Sequence, residues 1–211
     1  MKKLLLSMRV TEASNYEEKR NSLAYDYINL FESFGFLLIL IPNNTNNLKK
    51  YFDKINPDGI ILTGGNNVNP KLYGGKNELK GVFEERDYIE KQLLETAINK
   101  QVPILGICRG FQFINVFFGG KISHNVDNHV NKDHKLISKI PLLSKLVTNS
   151  FHNQSIYISD LSDQLTPIAY TDDSVIEAFT HKVHKILGLQ WHPERHNIKQ
   201  DKKLICDFFN K

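Results

Sequence analysis

The chain has 211 residues, a net charge of +4, and is 41% hydrophobic and 24% charged. This length and apolar fraction predict one globular domain over residues 1–211 and exclude a disordered chain. The longest apolar runs, residues 36–42 and Ile104–Ile107, are far shorter than the ~20 residues of a membrane-spanning helix. The apolar stretch near the start ends after three residues, so we expect a buried first strand in a cytoplasmic protein rather than a signal peptide.

The charge distribution limits the expected binding partners, and the cysteine content indicates the redox compartment. Lysines are scattered along the chain and no run of five or more like charges occurs. We therefore expect no nucleic-acid and no membrane partner, while an anionic small substrate stays open. Cys108 and Cys206 are too few for a disulfide framework and predict free thiols in a reducing compartment, with Cys206 in the core.

The first 120 residues alternate short apolar runs with helical patterns. We expect strands at residues 3–8, 36–41, 59–62 and 104–107. We expect helices at residues 17–34, capped by Ser14 or Asn15, and at 48–55, 84–100 and 111–118. Continuous apolar strands separated by helices predict a parallel sheet that is covered on both faces.

The pattern changes after Gly120. Short strands are expected at residues 156–158, 166–170, 174–180 and 186–190, with turns at 172–173 and 181–182. These spacings indicate antiparallel pairing, and a last helix is predicted at residues 202–209. The fold class is therefore α/β, with a mostly parallel central sheet and additional short antiparallel strands in the C-terminal half.

A strand that runs directly into a glycine-flanked cysteine is the most informative segment. Gly106 and Gly110 flank Cys108 in the pattern Gly-x-Cys-x-Gly, the thiol form of a nucleophile elbow. The turn would place the sulfur at the N-terminus of the next helix, where the partial positive charge favours a thiolate. The backbone N–H of Arg109 would then face a carbonyl oxygen under attack. We predict that Cys108 is a nucleophile rather than a core residue.

A cysteine nucleophile needs a base and a group that orients the base. His192 follows a predicted strand directly, and Glu194 lies two residues further, across the stiff Pro193. The glutamate carboxylate would hold the imidazole and stabilise its charged form. We predict that His192 and Glu194 complete a triad with Cys108.

A second glycine signal is the Gly64-Gly65 pair at the end of another predicted strand. A phosphate-binding loop is excluded because no Gly-Lys-Ser/Thr sequence follows. A backbone N–H of Gly64 or Gly65 is suited to stabilise an oxyanion together with that of Arg109. A tight turn without chemistry remains an alternative.

Three motifs together resemble a class I glutamine amidotransferase domain: Gly-Ile-Cys-Arg-Gly-Phe-Gln, Gln-Trp-His-Pro-Glu and Asp-Gly-Ile-Ile-Leu-Thr-Gly-Gly. Within this family, the chain is most similar to the γ-glutamyl hydrolase branch, which carries a Cys-His-Glu triad on a flavodoxin-like sheet. Further blocks at residues 69–74, 86–90 and 149–154 come in the order of that family.

The resemblance implies roles for residues at the matching positions. Cys108 would be the nucleophile, His192 the acid and base, and Glu194 the orienting group. The backbone N–H groups of Gly65 and Arg109 would stabilise the oxyanion. The groups implied to hold the glutamyl end, partly through backbone atoms, are Gly64, Gln112, Asn149, Ser150 and Phe151.

The implied reaction is attack on a γ-glutamyl amide, loss of the amine, and hydrolysis of the glutamyl thioester. No cofactor is implied. Asn153 stands where this branch often has a second histidine beside His152, so the role of that pair stays open.

The leaving group must be inferred from the residues around the site. Arg9, Lys19 and Arg20 lie in the segment after the first strand, with Tyr16, and Arg86 begins the helix after the glycine pair. Arginine suits phosphate oxygens, so we hypothesise an anionic, nucleotide-bearing leaving group. Solvated surface charge is the alternative. Residues 9–42 also resemble amidotransferase-like proteins of bacterial surface-sugar pathways, which implies release of cytidine diphosphoramidate for capsule synthesis.

Two rival interpretations remain. A glutaminase subunit that supplies ammonia to a separate synthetase would carry the same motifs and would need a docking surface. A non-catalytic binding module would not need Cys108, His192 and Glu194 together, so their presence favours an enzyme.

A metal site is not expected from the histidine spacing. His124, His129 and His134 recur at five-residue intervals, and His181 and His184 are three apart. None lies at ligand spacing from a cysteine or carboxylate on a predicted helix.

Overall fold

The computed structural model describes residues 1–76, 79–124, 126, 129–144, 146–196 and 198–210. Its strands are β1 (Lys2–Leu6), β2 (Arg9–Glu12), β3 (Lys19–Ser22), β4 (Phe36–Leu40), β5 (Gly59–Leu62), β6 (Ile104–Ile107), β7 (Ser123–His124), β8 (Val130–Lys135), β9 (Val147–Phe151), β10 (Gln154–Ser155), β11 (Leu165–Tyr170), β12 (Ile176–His181) and β13 (Ile186–Leu189). Its α-helices are α1 (Tyr25–Ser33), α2 (Leu48–Ile55), α3 (Glu84–Asn99), α4 (Arg109–Phe117), α5 (Pro193–His196) and α6 (Lys199–Asn210).

A seven-stranded sheet in the order β11-β12-β13-β6-β5-β1-β4 organises the chain. The neighbours from β13 to β4 are parallel, whereas β12 and β11 run antiparallel at the other edge. The predicted α/β class with a mostly parallel sheet is therefore confirmed. None of the described helices is both long and apolar enough to cross a membrane.

The central strands are apolar on both faces because helices cover both. In β5, Ile60 and Leu62 pack on the side of α2, α3 and α4, whereas Ile61 packs on the side of α1 and α6. All three side chains are fully buried. This alternation explains why β5 and β6 appear in the sequence as continuous hydrophobic runs.

The helix predicted at residues 17–34 is wrong in its first half, and neither Ser14 nor Asn15 caps it. Residues 19–22 form β3, which pairs antiparallel with β2, and α1 begins only at Tyr25. The Asn21 side chain accepts hydrogen bonds from the backbone N–H and the amide of Asn43, at 2.8 and 2.9 Å. These contacts join segments far apart in the chain, so they override the local helical pattern.

The strand predicted at residues 156–158 is also wrong. Residues 154–155 form β10, which pairs with β7, and Ile158–Asp160 form a short 3₁₀ turn. The polar β8 and its partner β9 had no apolar alternation from which to predict them. The other predicted elements agree with the structure to within a few residues, and residues 48–55, 59–62 and 104–107 agree at both ends.

The strand order places several loops at one edge of the sheet. From β1 the chain passes to β4 on one side and then to β5 on the other, which creates a topological switch point beside β1. Ligands of open α/β sheets bind outside the carboxyl ends of the strands at such a point. The segments that follow β1, β5, β6 and β13 all begin at this edge.

Phe209 of α6 should be a principal stabilising contact of the second face. It is 2% exposed, and its ring centroid lies 5.5 Å from that of Phe36. We expect Phe209→Ala to lower the free energy of unfolding by about 3–5 kcal/mol. Urea unfolding measures the change, with the half-buried Phe208→Ala as the matched control. Equal losses for both variants would contradict this packing.

Candidate active site

The strand-to-helix turn holds Cys108 in an unusual backbone conformation. Its φ is 51° and its ψ is −102°, a region that costs a non-glycine residue conformational energy. The Cys108 N–H donates to the Leu189 carbonyl at 2.8 Å, and the Gln112 N–H donates to the Cys108 carbonyl at 3.1 Å. The neighbouring strand and the first turn of α4 therefore keep the cysteine in this position.

The glycines on either side of Cys108 allow α4 to approach the sheet closely. A Cβ on Gly110 would lie 2.1 Å from the carbonyl oxygen of Leu62, and one on Gly106 would lie 2.5 Å from Cδ1 of Ile114. Close approach is thus the reason for both glycines, whereas the positive φ of the turn belongs to Cys108 itself.

His192 and Glu194 follow β13 at the same edge. Nδ1 of His192 lies 2.5 Å from Oε1 of Glu194, and both residues are buried. The Asn149 amide accepts from the His192 N–H at 2.9 Å and donates to the His192 carbonyl at 2.8 Å. The Asn149 side chain is thus engaged with the backbone of His192, and its contact with a substrate stays a prediction.

Cys108 and His192 contact each other, and each shifts the pKa of the other. Burial by itself would raise the pKa of the Cys108 thiol, but the charge and hydrogen bond of His192 outweigh burial and lower that pKa. Burial would lower the pKa of His192, but Cys108 and Glu194 raise it to about 10. The structure therefore favours a thiolate beside an imidazolium.

Tyr27 is a site residue that sequence analysis missed. The Gly64 N–H donates to the Tyr27 hydroxyl at 2.9 Å. Burial and then the charge of Glu194 raise the pKa of Tyr27, so its hydroxyl stays neutral. A Cβ on Gly64 would lie 2.9 Å from the His192 ring and 3.5 Å from the Cys108 Cβ. The residue at position 64 must be glycine because the site closes around it.

The two amides predicted for an oxyanion lie at the pocket beside Cys108. Gly65 and Arg109 both line this pocket of about 160 Å³. Within the described part of the chain, neither backbone N–H has a hydrogen-bond acceptor. Because Tyr27 occupies the Gly64 amide, Gly65 is the better placed donor of the glycine pair.

The Arg86 side chain holds the glycine loop from behind. It is fully buried and donates to the carbonyl oxygens of Thr63, Gly64 and Gly65. Its Nε also donates to Glu90 at 2.9 Å. Burial lowers the pKa of Arg86 to about 10, which leaves it charged at neutral pH. This placement corrects the expectation that Arg86 contacts substrate, because none of it is exposed.

The Arg109 side chain belongs to the same buried network. Its guanidinium pairs with Asp87 and Glu90 and lies 4.7 Å from the centroid of the Phe113 ring. Burial lowers the pKa of Arg109 well below its usual range. The backbone of Arg109, rather than its guanidinium, is therefore the part that faces the pocket.

The other predicted glutamyl-binding residues surround the pocket or support it. Nε2 of Gln112 donates to the Gln154 carbonyl at 3.3 Å and to the Gln190 side chain at 3.2 Å. The Ser150 hydroxyl donates to the His129 carbonyl, behind the pocket. Phe151 lines the pocket, edge-on to the His192 ring with 5.9 Å between centroids.

Two arginine side chains lie near the opening of the pocket and contact different groups. The Arg9 side chain lies along Gly65, where a Cβ would be 3.2 Å from its Cδ. Arg195, which sequence analysis missed although it follows Glu194, lines the pocket with its guanidinium 4.6 Å from the centroid of the Phe151 ring.

The predicted basic residues of the β2–β3 hairpin pair with nearby side chains. Lys19 lies 2.7 Å from Glu85, and Arg20 contacts Glu18 and Tyr16. These pairs match the alternative of solvated surface charge.

Comparisons with known proteins identify the family of this chain. Residues 5–194 match the model of the Peptidase C26 family. The chain belongs to this family, and the resemblance inferred from the motifs is confirmed. At the level of the family, it is a hydrolase of the glutamine amidotransferase-like class.

Individual relatives share about a third of their residues with the chain. The glutamine amidotransferase-like protein YvdE of Lactococcus lactis is 34% identical over 198 residues, covering 82% of each chain. The gamma-glutamyl-CDP-amidate hydrolase of Campylobacter jejuni is 32% identical over 205 residues, covering 97% of this chain and 96% of that protein.

A solved structure shares the fold. The crystal structure of a protein described as a GMP synthase subunit, from Thermoplasma acidophilum, superposes with a TM-score of 0.71 at 20% identity. The superposition covers 100% of this chain and 93% of that one. It confirms the predicted class I glutamine amidotransferase fold.

Removal of Arg86 should destabilise the protein strongly. Arg86→Ala leaves Oε1 of Glu90 and three carbonyl oxygens without their donor inside the protein, so we expect a loss of about 3–5 kcal/mol in the free energy of unfolding. Urea unfolding measures it, and Arg20→Ala on the surface is a control with little expected change. A mild effect of Arg86→Ala would mean that the glycine loop does not depend on this side chain.

The lowered pKa of Cys108 predicts unusual reactivity of its thiol. At neutral pH, iodoacetamide should alkylate Cys108 about tenfold or more faster than Cys206, because a thiol with an ordinary pKa is only a few per cent ionised there. Burial raises the pKa of Cys206, which makes it an internal control. Because its pKa is lowered, the alkylation rate of Cys108 should decline at a lower pH than that of Cys206.

His192→Ala tests the cause of this reactivity. Without the imidazolium, burial should raise the pKa of Cys108, and its rate at neutral pH should fall towards that of Cys206. Peptide mass spectrometry across a pH series measures both rates. Unchanged reactivity in His192→Ala would exclude the pairing.

Proposed function

We propose that this chain hydrolyses a γ-glutamyl amide through a glutamyl thioester on Cys108, and that residues 1–211 act as one domain. The observation that carries the proposal is the contact of Cys108 with His192, itself bonded to Glu194, beside a pocket with two available backbone amides. Membership of the Peptidase C26 family supports the same reaction class.

The first half of the reaction forms the thioester. The Cys108 thiolate attacks the γ-carbonyl carbon, and the resulting oxyanion accepts hydrogen bonds from the N–H groups of Gly65 and Arg109. As the C–N bond breaks, the His192 imidazolium donates its Nε2 proton to the departing nitrogen. Glu194 holds Nδ1 and so directs Nε2 towards the reacting atoms.

The second half releases glutamate. Neutral His192 accepts a proton from a water molecule, which attacks the thioester carbonyl. The C–S bond breaks, glutamate leaves, and the thiolate and imidazolium are restored. Each turnover therefore consumes one water and needs no cofactor.

Glutamyl recognition relies on backbone groups in this proposal. The side chains of Asn149 and Ser150 are engaged with His192 and His129, so their segment offers its backbone together with Phe151. Gln112 supplies a polar side chain on the pocket wall. A pocket of about 160 Å³ suits an amino-acid-sized group, since whole small-molecule sites usually exceed ~300 Å³.

The specific substrate that we propose is γ-glutamyl-CDP-amidate, cleaved to glutamate and cytidine diphosphoramidate for capsule phosphoramidate synthesis. The Campylobacter jejuni relative, which this chain matches over nearly its full length, supports this choice. The nucleotide would extend out of the small pocket, where Arg9 and Arg195 offer positive charge for its phosphates.

Glutamate release by the purified chain tests the reaction. We expect fast turnover of γ-glutamyl-CDP-amidate and slow turnover of L-glutamine. Cys108→Ala should abolish release, and Glu194→Gln should lower kcat by about 10²-fold or more. Efficient glutamine turnover alone would favour a glutaminase that serves a synthetase. Absence of Cys108-dependent release from both compounds would contradict the proposed chemistry.

A second measurement tests the leaving group. Arg9→Ala should raise the KM for the nucleotide conjugate about tenfold while leaving the KM for glutamine unchanged, because the lost contact is to phosphate alone. Arg20→Ala, whose guanidinium already contacts Glu18, is the matched control. An equal rise for both substrates would contradict recognition of phosphate by Arg9.

A further inference from the structure

Behind one wall of the pocket lies a buried cluster that the proposed hydrolysis does not use. His129 is 1% exposed, His152 4% and Glu177 0%. The three come from separate segments: the residue before β8, the residue after β9, and β12. One nitrogen or oxygen atom from each lies within 4.8 Å of the other two.

The hydrogen bonds around this cluster determine which ring nitrogens carry protons. Nδ1 of His152 lies 2.9 Å from the Gln154 carbonyl, which can only accept, so Nδ1 is protonated. Nε2 of His129 lies 2.8 Å from a carboxylate oxygen of Asp173 and is protonated for the same reason. In the neutral rings, the lone pairs are therefore on Nε2 of His152 and Nδ1 of His129.

Both lone pairs face the same carboxylate. Oε1 of Glu177 lies 3.3 Å from Nε2 of His152 and 3.9 Å from Nδ1 of His129. Three electron-pair donors thus surround one buried point, which is unfavourable unless a positive charge lies between them.

A single proton does not satisfy the cluster. A proton on Nε2 of His152 would pair that ring with Glu177, but Nδ1 of His129 and Oε2 of Glu177 would still lack a partner among the described residues. Buried polar atoms without partners are costly and call for an explanation. A divalent cation would engage all three residues at once and offset the carboxylate charge.

The surroundings match those of a metal site. Histidines that bind metals usually donate their second N–H to a carboxylate or a backbone carbonyl, as His129 and His152 do here. Two histidines and one glutamate are a ligand set of zinc. Tetrahedral ligands that each lie ~2.0–2.1 Å from zinc are about 3.3 Å apart. His152 and Glu177 already have this spacing, at 3.3 Å, whereas the 3.9 Å between His129 and Glu177 must shorten by about half an ångström when the ion binds.

We propose that His129, His152 and Glu177 bind a Zn²⁺ ion, with water or the second oxygen of Glu177 completing its coordination. The ion would join three separate segments directly behind the pocket. His152 also lines the pocket beside Cys108, which gives the ion an entry path and makes the pocket wall depend on it.

Zinc titration of the tag-free protein against a chromophoric chelator tests the site. The Cys108→Ala chain is used throughout, so that the active-site thiol cannot bind the ion. We expect about one tightly bound Zn²⁺ per chain, as for a single three-residue site. Glu177→Gln and His129→Ala should lose this binding, and Co²⁺ in its place should give the visible absorption of a tetrahedral site.

A surface variant separates metal binding from folding. The Asp173 side chain is 47% exposed, so Asp173→Asn should leave the fold intact while weakening zinc about 10–100-fold through His129. Asp172→Asn, its exposed neighbour, should leave zinc affinity unchanged. Absence of stoichiometric zinc binding, or binding that Glu177→Gln and Asp173→Asn both retain, would overturn the proposal.

Discussion

A buried network of two arginines and two carboxylates determines the shape of the candidate active site. Arg86 and Arg109 pair with Glu90 and Asp87, so four buried charges balance one another. The network joins the loop after β5, the start of α3 and the first residue of α4. Because Arg86 attracts the carbonyl oxygens of the glycine loop, the amide of Gly65 is left for the pocket. Loss of one partner would leave an uncompensated charge in the core.

The rest of the site is assembled from strand ends that the sheet brings to one edge. The turn after β6 holds Cys108 at a positive φ, and the segment after β13 brings His192 against it. Asn149, from outside the central sheet, clamps the backbone of His192 on both sides. The thiol and the imidazole then shift each other's pKa in opposite directions, which no single element achieves alone.

Sequence analysis succeeded where the signal was local. Strands β5 and β6 were predicted at both ends because a buried parallel strand is a continuous apolar run bounded by turns. The helix over residues 17–34 was wrong in its first half because β3 pairs with β2 and Asn21 of β3 is also bonded to Asn43, a residue distant in the chain. Arg86 was predicted to contact substrate for a similar reason. The sequence shows a charged residue at the start of a helix, but it does not reveal that backbone carbonyl groups of the glycine loop surround this side chain.

The sequence by itself determined the fold class and the family. It also predicted a triad from local context alone: Cys108 between glycines at a strand end, and His192 and Glu194 after another strand. The tertiary structure alone decided which charged and polar groups face inward. No sequence pattern marks the residues that were missed, because their contacts come from separate segments of the chain. These residues are Tyr27, Arg195 and the cluster of His129, His152 and Glu177. The physical reason is that burial, the ring nitrogen that carries a proton, and the direction of a lone pair are set by partners distant in the chain.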